Sequence, residues 1–244
     1  MSHARYDASI VMTCHREGAL AHLSWLALRR CREFATKRGY SVQFILSLDC
    51  ADEETTRVVK SLPGLSSSDR VVEVDYGDLG LSRNHAIGLA DGDFVGISDG
   101  DDYLSANWIV RCLESARAAE GETIWHPELI VLFEGWHALS RQIAQDDPAF
   151  DRNAMLVVNP WNSCSFARRT TYLANPYLAS RPGETGFGFE DWHWNCETLA
   201  QGFQHCIASE TIHFVRRKDS GSLNLAHARN NALIHATKLF DRAG

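Results

Sequence analysis

In the first hundred residues, four short apolar and β-branched runs, Ala8 to Cys14, Val42 to Leu48, Arg70 to Asp75 and Asp93 to Ser98, alternate with segments of helical periodicity. Leu20 to Lys37 carries apolar side chains at Leu23, Leu26, Ala27, Cys31 and Phe34. Glu53 to Leu62 is closed by Pro63-Gly64, and Leu81 to Ala90 precedes the fourth run. Strands that alternate with helices in this way imply a mainly parallel sheet covered on both faces, so the expected fold class is α/β. In open sheets of this kind, ligands bind beyond the carboxyl ends of the strands.

The second half is less regular. A helix is expected over Ser105 to Ala119, followed by apolar segments at Leu129 to Phe133, Leu156 to Val158 and Ser163 to Ala167. A helix over Glu190 to Ala200 then precedes two short strands, His205 to Ala208 and Thr211 to Val215, and a helical tail, Leu225 to Phe240. There is no internal repeat or low-complexity linker, which predicts one domain over residues 1–244. The net charge of -7 argues against broad nucleic-acid binding. No apolar run approaches the roughly 20 residues of a membrane helix, and the charged start lacks a secretory signal, so a cytoplasmic location is expected. The seven cysteines form no CxxC pair and read as mostly buried, reduced thiols. The basic face Arg29-Arg30-Cys31-Arg32 with Lys37-Arg38 reads as a solvated helix surface, with peripheral membrane contact as the alternative.

Directly after the fourth strand comes Gly96-Ile97-Ser98-Asp99-Gly100-Asp101-Asp102-Tyr103-Leu104, with three carboxylates in four positions. Carboxylates that close repel one another, and a divalent cation with a preference for hard oxygen ligands offsets that charge. A solvated turn that caps the next helix is the competing reading.

The chain resembles the GT-A-fold glycosyltransferases, specifically inverting family 2, at several places in the expected order. Ile10-Val11-Met12-Thr13-Cys14-His15-Arg16 is similar to the family's first strand, although Met12, Cys14 and His15 replace its usual Pro, Tyr and Asn. Gly80 to Asp93 resembles the stretch that contains the family's Ala-Arg-Asn. Asp99-Gly100-Asp101-Asp102 matches the DxD motif, and Gly186-Phe187-Gly188-Phe189-Glu190-Asp191-Trp192 looks like the Glu-Asp motif. The resemblance implies a nucleotide-binding half near 1–104 and an acceptor-binding half near 105–244. It further implies that Thr13, Asp49, Arg83 and Asp99 bind the nucleotide, that Asp101 and His213 hold Mn2+ or Mg2+, that Asp191 is the catalytic base, and that Glu190 and Trp192 meet the acceptor. The implied reaction moves one sugar from a nucleotide-sugar, a UDP-sugar by preference, to a glycan, lipid-linked or other hydroxyl acceptor. The Gln-x-x-Arg-Trp signature of processive members is missing, which points to single transfer.

Each role has a plainer counterpart. Asp49 can open a turn, Arg83 can pair with Asp99, Glu190-Asp191 can begin a helix, and His213 can be a structural strand residue. Arg216, Arg217 and Lys218, with Asp219-Ser220-Gly221-Ser222, form a basic segment that either closes over a diphosphate or is solvated. Trp161, Asn162 and Ser163 are weaker acceptor-site candidates. Other functions in view are a nucleotidyltransferase and a non-catalytic nucleotide- or glycan-binding module of the same fold.

Overall fold

The structure is a computed structural model that describes residues 5–218 and 223–241. Its first half follows the expected alternation: β1 (Tyr6–Cys14), α1 (Leu20–Thr36), β2 (Val42–Asp49), α2 (Glu53–Lys60), β3 (Arg70–Val74), α3 (Leu79–Gly88) and β4 (Gly92–Asp99). The four strands lie parallel in the order β3-β2-β1-β4. From Ala8 onward β1 is buried, as is all of β2, because helices cover both faces. Successive side chains divide between those faces. Ile10, Met12, Phe44 and Leu46 pack with Trp25, Leu28 and Cys31 of α1, whereas Val11, Ile45, Val95 and Ile97 pack with Ala86 and Ile87 of α3. Two aspartates fix helix starts, Asp52 accepting from Thr55 N–H and Asp78 from Leu81 N–H.

The second half continues the same sheet. After β5 (Tyr103–Leu104) and α4 (Trp108–Ala118) come β6 (Thr123–Glu134), β7 (Ala138–Arg141), β8 (Phe166–Arg168), α5 (Arg169–Ala174), α6 (Pro182–Thr185), α7 (Glu190–Ala200), β9 (Gln204–Arg217) and α8 (Leu223–Arg229). The sheet extends beyond β4 as β8-β6-β9-β5, with β7 on β6. β8 is antiparallel to both of its neighbours, while β6 and β9 run parallel.

Three expectations change. The two strands expected over 205–215 are one 14-residue strand, because a register shift between Pro127 and Leu129 of β6 absorbs the break. The apolar 156–158 segment does not join the core: Leu156 ends a 3-10 turn, and Leu156, Val157 and Val158 are exposed. The tail helix stops at Arg229, with Asn231 left-handed two residues later, and only a 3-10 turn at Lys238–Phe240 follows.

Close approach, rather than a left-handed backbone, explains two glycines. A Cβ on Gly96 would fall 2.6 Å from Trp108 Cη2 and 2.9 Å from Ile10 Cδ1. One on Gly100 would fall 2.7 Å from both Cys14 Sγ and the Thr13 carbonyl oxygen. Five cysteines are buried, Cys50 is exposed, Cys206 is partly buried, and all seven are unbridged. Among the described residues no helix is long and apolar enough to cross a membrane.

Candidate active site

A cavity of about 410 Å3 opens where β1, β2 and β4 end, and α7 and the end of β9 complete its wall. The register sets Thr13 beside Asp99 at the ends of β1 and β4, so the first-strand motif and the acidic turn meet through sheet pairing alone. Thr13 Oγ1 is 3.4 Å from Asp99 Oδ1. Asp49, at the end of β2, grips the loop that leads to α3. Its Oδ1 accepts from the backbone N–H of Tyr76 (2.8 Å) and Gly77 (2.9 Å), and its Oδ2 accepts from that of Asp78 (2.9 Å). A carboxylate has about four lone-pair positions, so one is left for a ligand in the cavity that Asp49 lines.

Arg83 is fully buried and joins the two acidic motifs. Its Nη2 donates to Asp99 Oδ1 (2.7 Å) and its Nη1 to Glu190 Oε1 (2.8 Å), while the Tyr177 ring lies 5.5 Å from the guanidinium carbon. Arg83 therefore meets both carboxylates rather than projecting as a free donor, and Ser163 adds a hydrogen bond to Asp99 Oδ2 (2.9 Å). Burial pushes the Asp99 carboxyl up, but the Arg83 charge and the bonds from Arg83 and Ser163 outweigh it and hold the group below the usual range. Among the described residues Arg83 is the one side-chain partner of Glu190, whose buried Oε2 lacks a hydrogen bond. Burial pushes it to about 7, with Arg83 opposing and Asp191 adding to the rise.

The rest of the acidic turn is divided between two environments. Asp101 faces the cavity and pairs with Lys218 Nζ at 2.6 Å; burial, then the neighbouring Asp102, raises its carboxyl to about 6 despite Lys218. Asp102 is a structural anchor for β9: its Oδ1 accepts from Arg216 N–H (2.8 Å), and its Oδ2 lies 2.9 Å from His213 Nε2. That second contact is close but lies off a hydrogen-bond line, so among the described residues Nε2 is buried without an aligned partner. His213 Nδ1 meets the Asn162 amide. The histidine thus sits behind Asp102 rather than in the cavity wall.

Asp191 lies in the first turn of α7, whose preceding residue, Phe189, has a left-handed backbone (φ 56°) and packs against His227 of α8 at 4.3 Å. The turn aims Glu190 and Asp191 at the cavity, and Asp191 Oδ2 accepts from Asn159 Nδ2 (3.3 Å). Burial raises the Asp191 carboxyl against the opposing Arg83 charge. Trp192 is not brought to the cavity: its indole N–H donates to the Met155 carbonyl and its ring packs beside Met155, Trp161 and Leu199. Trp161 is likewise buried, stacked on His205 at 4.1 Å, with its N–H on the Ile143 carbonyl. Asn162 and Ser163 do line the cavity, as do Arg216 and Arg217 with Lys218; residues 219–222 lie outside the described residues.

Sequence reasoning overlooked Asn159, Ser180 and His227. Nothing local marks them, since each acquires its place through contacts with distant segments, such as Ser180 N–H on Asp78 Oδ2 (2.6 Å) and Ser180 Oγ near His227 Nε2 (3.3 Å).

A parallel α/β sheet extended by antiparallel strands, with an acidic turn and a Glu-Asp helix start sharing one cavity, defines a GT-A nucleotide-sugar transferase fold. Residues 9–126 match the family model for Glycosyl transferase family 2. Among solved structures the chain is similar to residues 1–349 of S. aureus TarS in complex with UDP-GlcNAc, at 12% identity and a TM-score of 0.67, over 89% of this chain and 60% of that one. It is also similar to glucosyl-3-phosphoglycerate synthase from Mycobacterium tuberculosis in complex with Mn2+, UDP and phosphoglyceric acid, at 15% identity and a TM-score of 0.57, over 93% and 76% of the two chains. A third likeness is to the mannosyltransferase PcManGT from Pyrobaculum calidifontis in complex with GDP-Man and Mn2+, at 13% identity and a TM-score of 0.61, over 89% and 59%. At these identities the likeness is one of fold, and the chain spans about 60% of the length of the TarS chain. No curated protein matches it by sequence.

Proposed function

We propose that the protein transfers one sugar from a UDP-sugar to an acceptor hydroxyl with inversion at the anomeric carbon, and that a divalent cation, Mn2+ or Mg2+, assists. The observation that carries this reading is the arrival of Asp191 in the cavity that also holds Asp99 and Asp101, with Arg83 fixing the two motifs relative to each other.

Donor recognition falls to the ends of β1, β2 and β4. Thr13, the remaining lone pair of Asp49 and the ionised Asp99 offer polar contacts to a nucleoside, and Arg216 and Arg217 bring positive charge to the same wall. Asp101, which faces the cavity, would hold the cation, whereas His213, expected as its partner ligand, lies behind Asp102 and outside the cavity wall. Among the described residues no three His, Cys, Asp or Glu side chains form a ready-made cage. A cation still fits, because Asp101 presents a hard carboxylate oxygen to the cavity and the cavity leaves room for diphosphate oxygens. When bound, the cation supplies charge neutralisation for the departing diphosphate.

On the acceptor side, Asp191 takes the proton of the attacking hydroxyl. That oxygen then bonds to the anomeric carbon on the face opposite the diphosphate, whose carbon–oxygen bond breaks, and Asp191 is left carrying the proton. Its raised carboxyl makes it a stronger base than an exposed aspartate. Glu190 Oε2 is available to an acceptor hydroxyl, and His227, held against Phe189, lines the same cavity. The acceptor is a glycan, lipid-linked or other hydroxyl compound, and the setting is glycan or cell-surface polysaccharide synthesis.

Calorimetric titration of UDP, GDP, CDP and dTDP, each with and without Mn2+, tests the donor. Tight binding of UDP that requires Mn2+ is expected, and absence of binding by all four returns the protein to the binding-module reading. Asp191→Asn is expected to abolish transfer while UDP affinity stays within about twofold; loss of both together would place Asp191 in binding or folding instead.

A further inference from the structure

The carboxylate that would hold the cation is already paired with an ammonium. Lys218, the residue after β9, places its ammonium 2.6 Å from Asp101 Oδ2 and 4.0 Å from Glu17 Oε1, and all three residues line the cavity. The side chains of Lys218, Asp101 and Glu17 are each about four-fifths covered, so little solvent is available to replace a lost partner.

The surrounding chain is fixed, and the lysine stem is not. Arg216, two residues earlier, is tied by its N–H to Asp102 Oδ1 (2.8 Å), by Nε to the Asp101 carbonyl (3.1 Å), and by its guanidinium to Tyr103 and Glu134. The strand end therefore keeps its place beside the acidic turn whether or not the cavity is filled. Lys218 hangs from that anchor on a flexible four-carbon stem ending in a compact charge. An ammonium and a divalent cation on one carboxylate would repel each other at short range, so the two compete for Asp101.

We infer that Lys218 is the built-in occupant of the cation position: it neutralises Asp101 while no donor is bound, is displaced when the divalent cation arrives, and then meets the donor diphosphate. This rests on the reading of Asp101 as a cation ligand. The arrangement keeps an acidic cavity charge-compensated in the empty protein and turns cation entry into the event that frees a diphosphate ligand. Lys218 is thus a positioning and binding residue whose two partners, Asp101 and the diphosphate, are used in sequence.

Competition followed by recruitment gives effects of opposite sign when the ammonium is removed. In Lys218→Met, Mn2+ binding to the nucleotide-free protein, followed by electron paramagnetic resonance of free Mn2+, is expected to tighten about three- to tenfold, the worth of one partly covered ion pair. UDP binding at saturating Mn2+, followed by calorimetry, is expected to weaken about tenfold for loss of one charge-assisted contact. A lysine that merely held the fold together would weaken both. Lys218→Arg, which keeps the charge, is expected to leave the Mn2+ affinity near that of the native protein and serves as the check if the methionine variant folds poorly. Mn2+ affinity that is unchanged or lowered in Lys218→Met, with Mn2+-dependent UDP binding retained, overturns the inference alone. If native protein and variant both fail to bind Mn2+ even with UDP present, the cation reading of Asp101 falls and the inference falls with it.

Discussion

Replacing Arg83 with methionine tests the link between the two acidic motifs. The change keeps much of the side chain's length and removes the charge shared by Asp99 and Glu190, whose side chains are 25% and 4% exposed beside a wholly buried arginine. Breaking a buried pair by deleting one partner costs about 3–5 kcal/mol. The open quarter of Asp99 lets water take over part of its share, which puts the expectation near the lower end, about 3 kcal/mol at pH 8. The sign of the pH dependence follows from Glu190. Its folded value, about 7, lies above its ordinary 4.5, so its favourable contribution is complete below 4.5 and is lost as pH rises through 7. Arg83 holds that value down and holds Asp99 below the usual range, so removing it raises both and makes the variant's deficit larger at pH 8 than at pH 5. Urea unfolding followed by tryptophan fluorescence at the two pH values measures this. With a denaturant slope of about 2–3 kcal/mol/M, the midpoint at pH 8 should drop by about 1–1.5 M. A loss below about 1 kcal/mol at pH 8, or an equal loss at both pH values, would show that the carboxylates are not kept ionised by Arg83.

Asp49→Asn replaces an acceptor of three backbone N–H groups with a side chain that also carries donors. It should make the 76–78 loop more susceptible to limited proteolysis and weaken UDP binding about tenfold; intact resistance to protease would contradict the loop-holding role. The buried pair His126 and His205 is linked at 2.9 Å, and burial holds both imidazoles below their usual value, His126 at about 3. Because the unfolded histidine binds a proton near 6.5 and the folded one does not, stability is complete above 6.5 and is lost as pH falls toward 3. His126→Gln should reduce the slope of stability against pH between 6 and 4 by about 1 kcal/mol per unit; an unchanged slope in urea unfolding would refute it.

The first half is legible in the sequence because β1, β2 and β4 are largely buried and so read as nearly continuous apolar runs, and the parallel register carries Thr13, Asp49 and Asp99 to one edge. The acidic turn and the start of α7 are legible as separate motifs. Their connection is not, since Arg83 and Glu190 are 107 residues apart and only the packing of α3 against α7 brings them together. Aromatic residues mislead in the other direction. Beside a Glu-Asp pair, Trp192 reads as a sugar platform, but its N–H needs a buried acceptor and finds the Met155 carbonyl away from the cavity. Periodicity also fails at β9, where Glu210 with φ 64° looks like a break between strands and is in fact part of one irregular strand.

The crowding around Gly96 and Gly100 bears on how such a protein can diversify. Strand β4 aims the acidic turn, yet any side chain at Gly96 would strike Trp108 and Ile10, and any at Gly100 would strike Cys14 and the β1 backbone. A methyl group at Gly96 displaces parts of both halves at once and one at Gly100 displaces the end of β1, so β4 and its turn leave little room for change. Change is accommodated more readily in the 76–78 loop, part of which lines the cavity and none of which lies in the sheet.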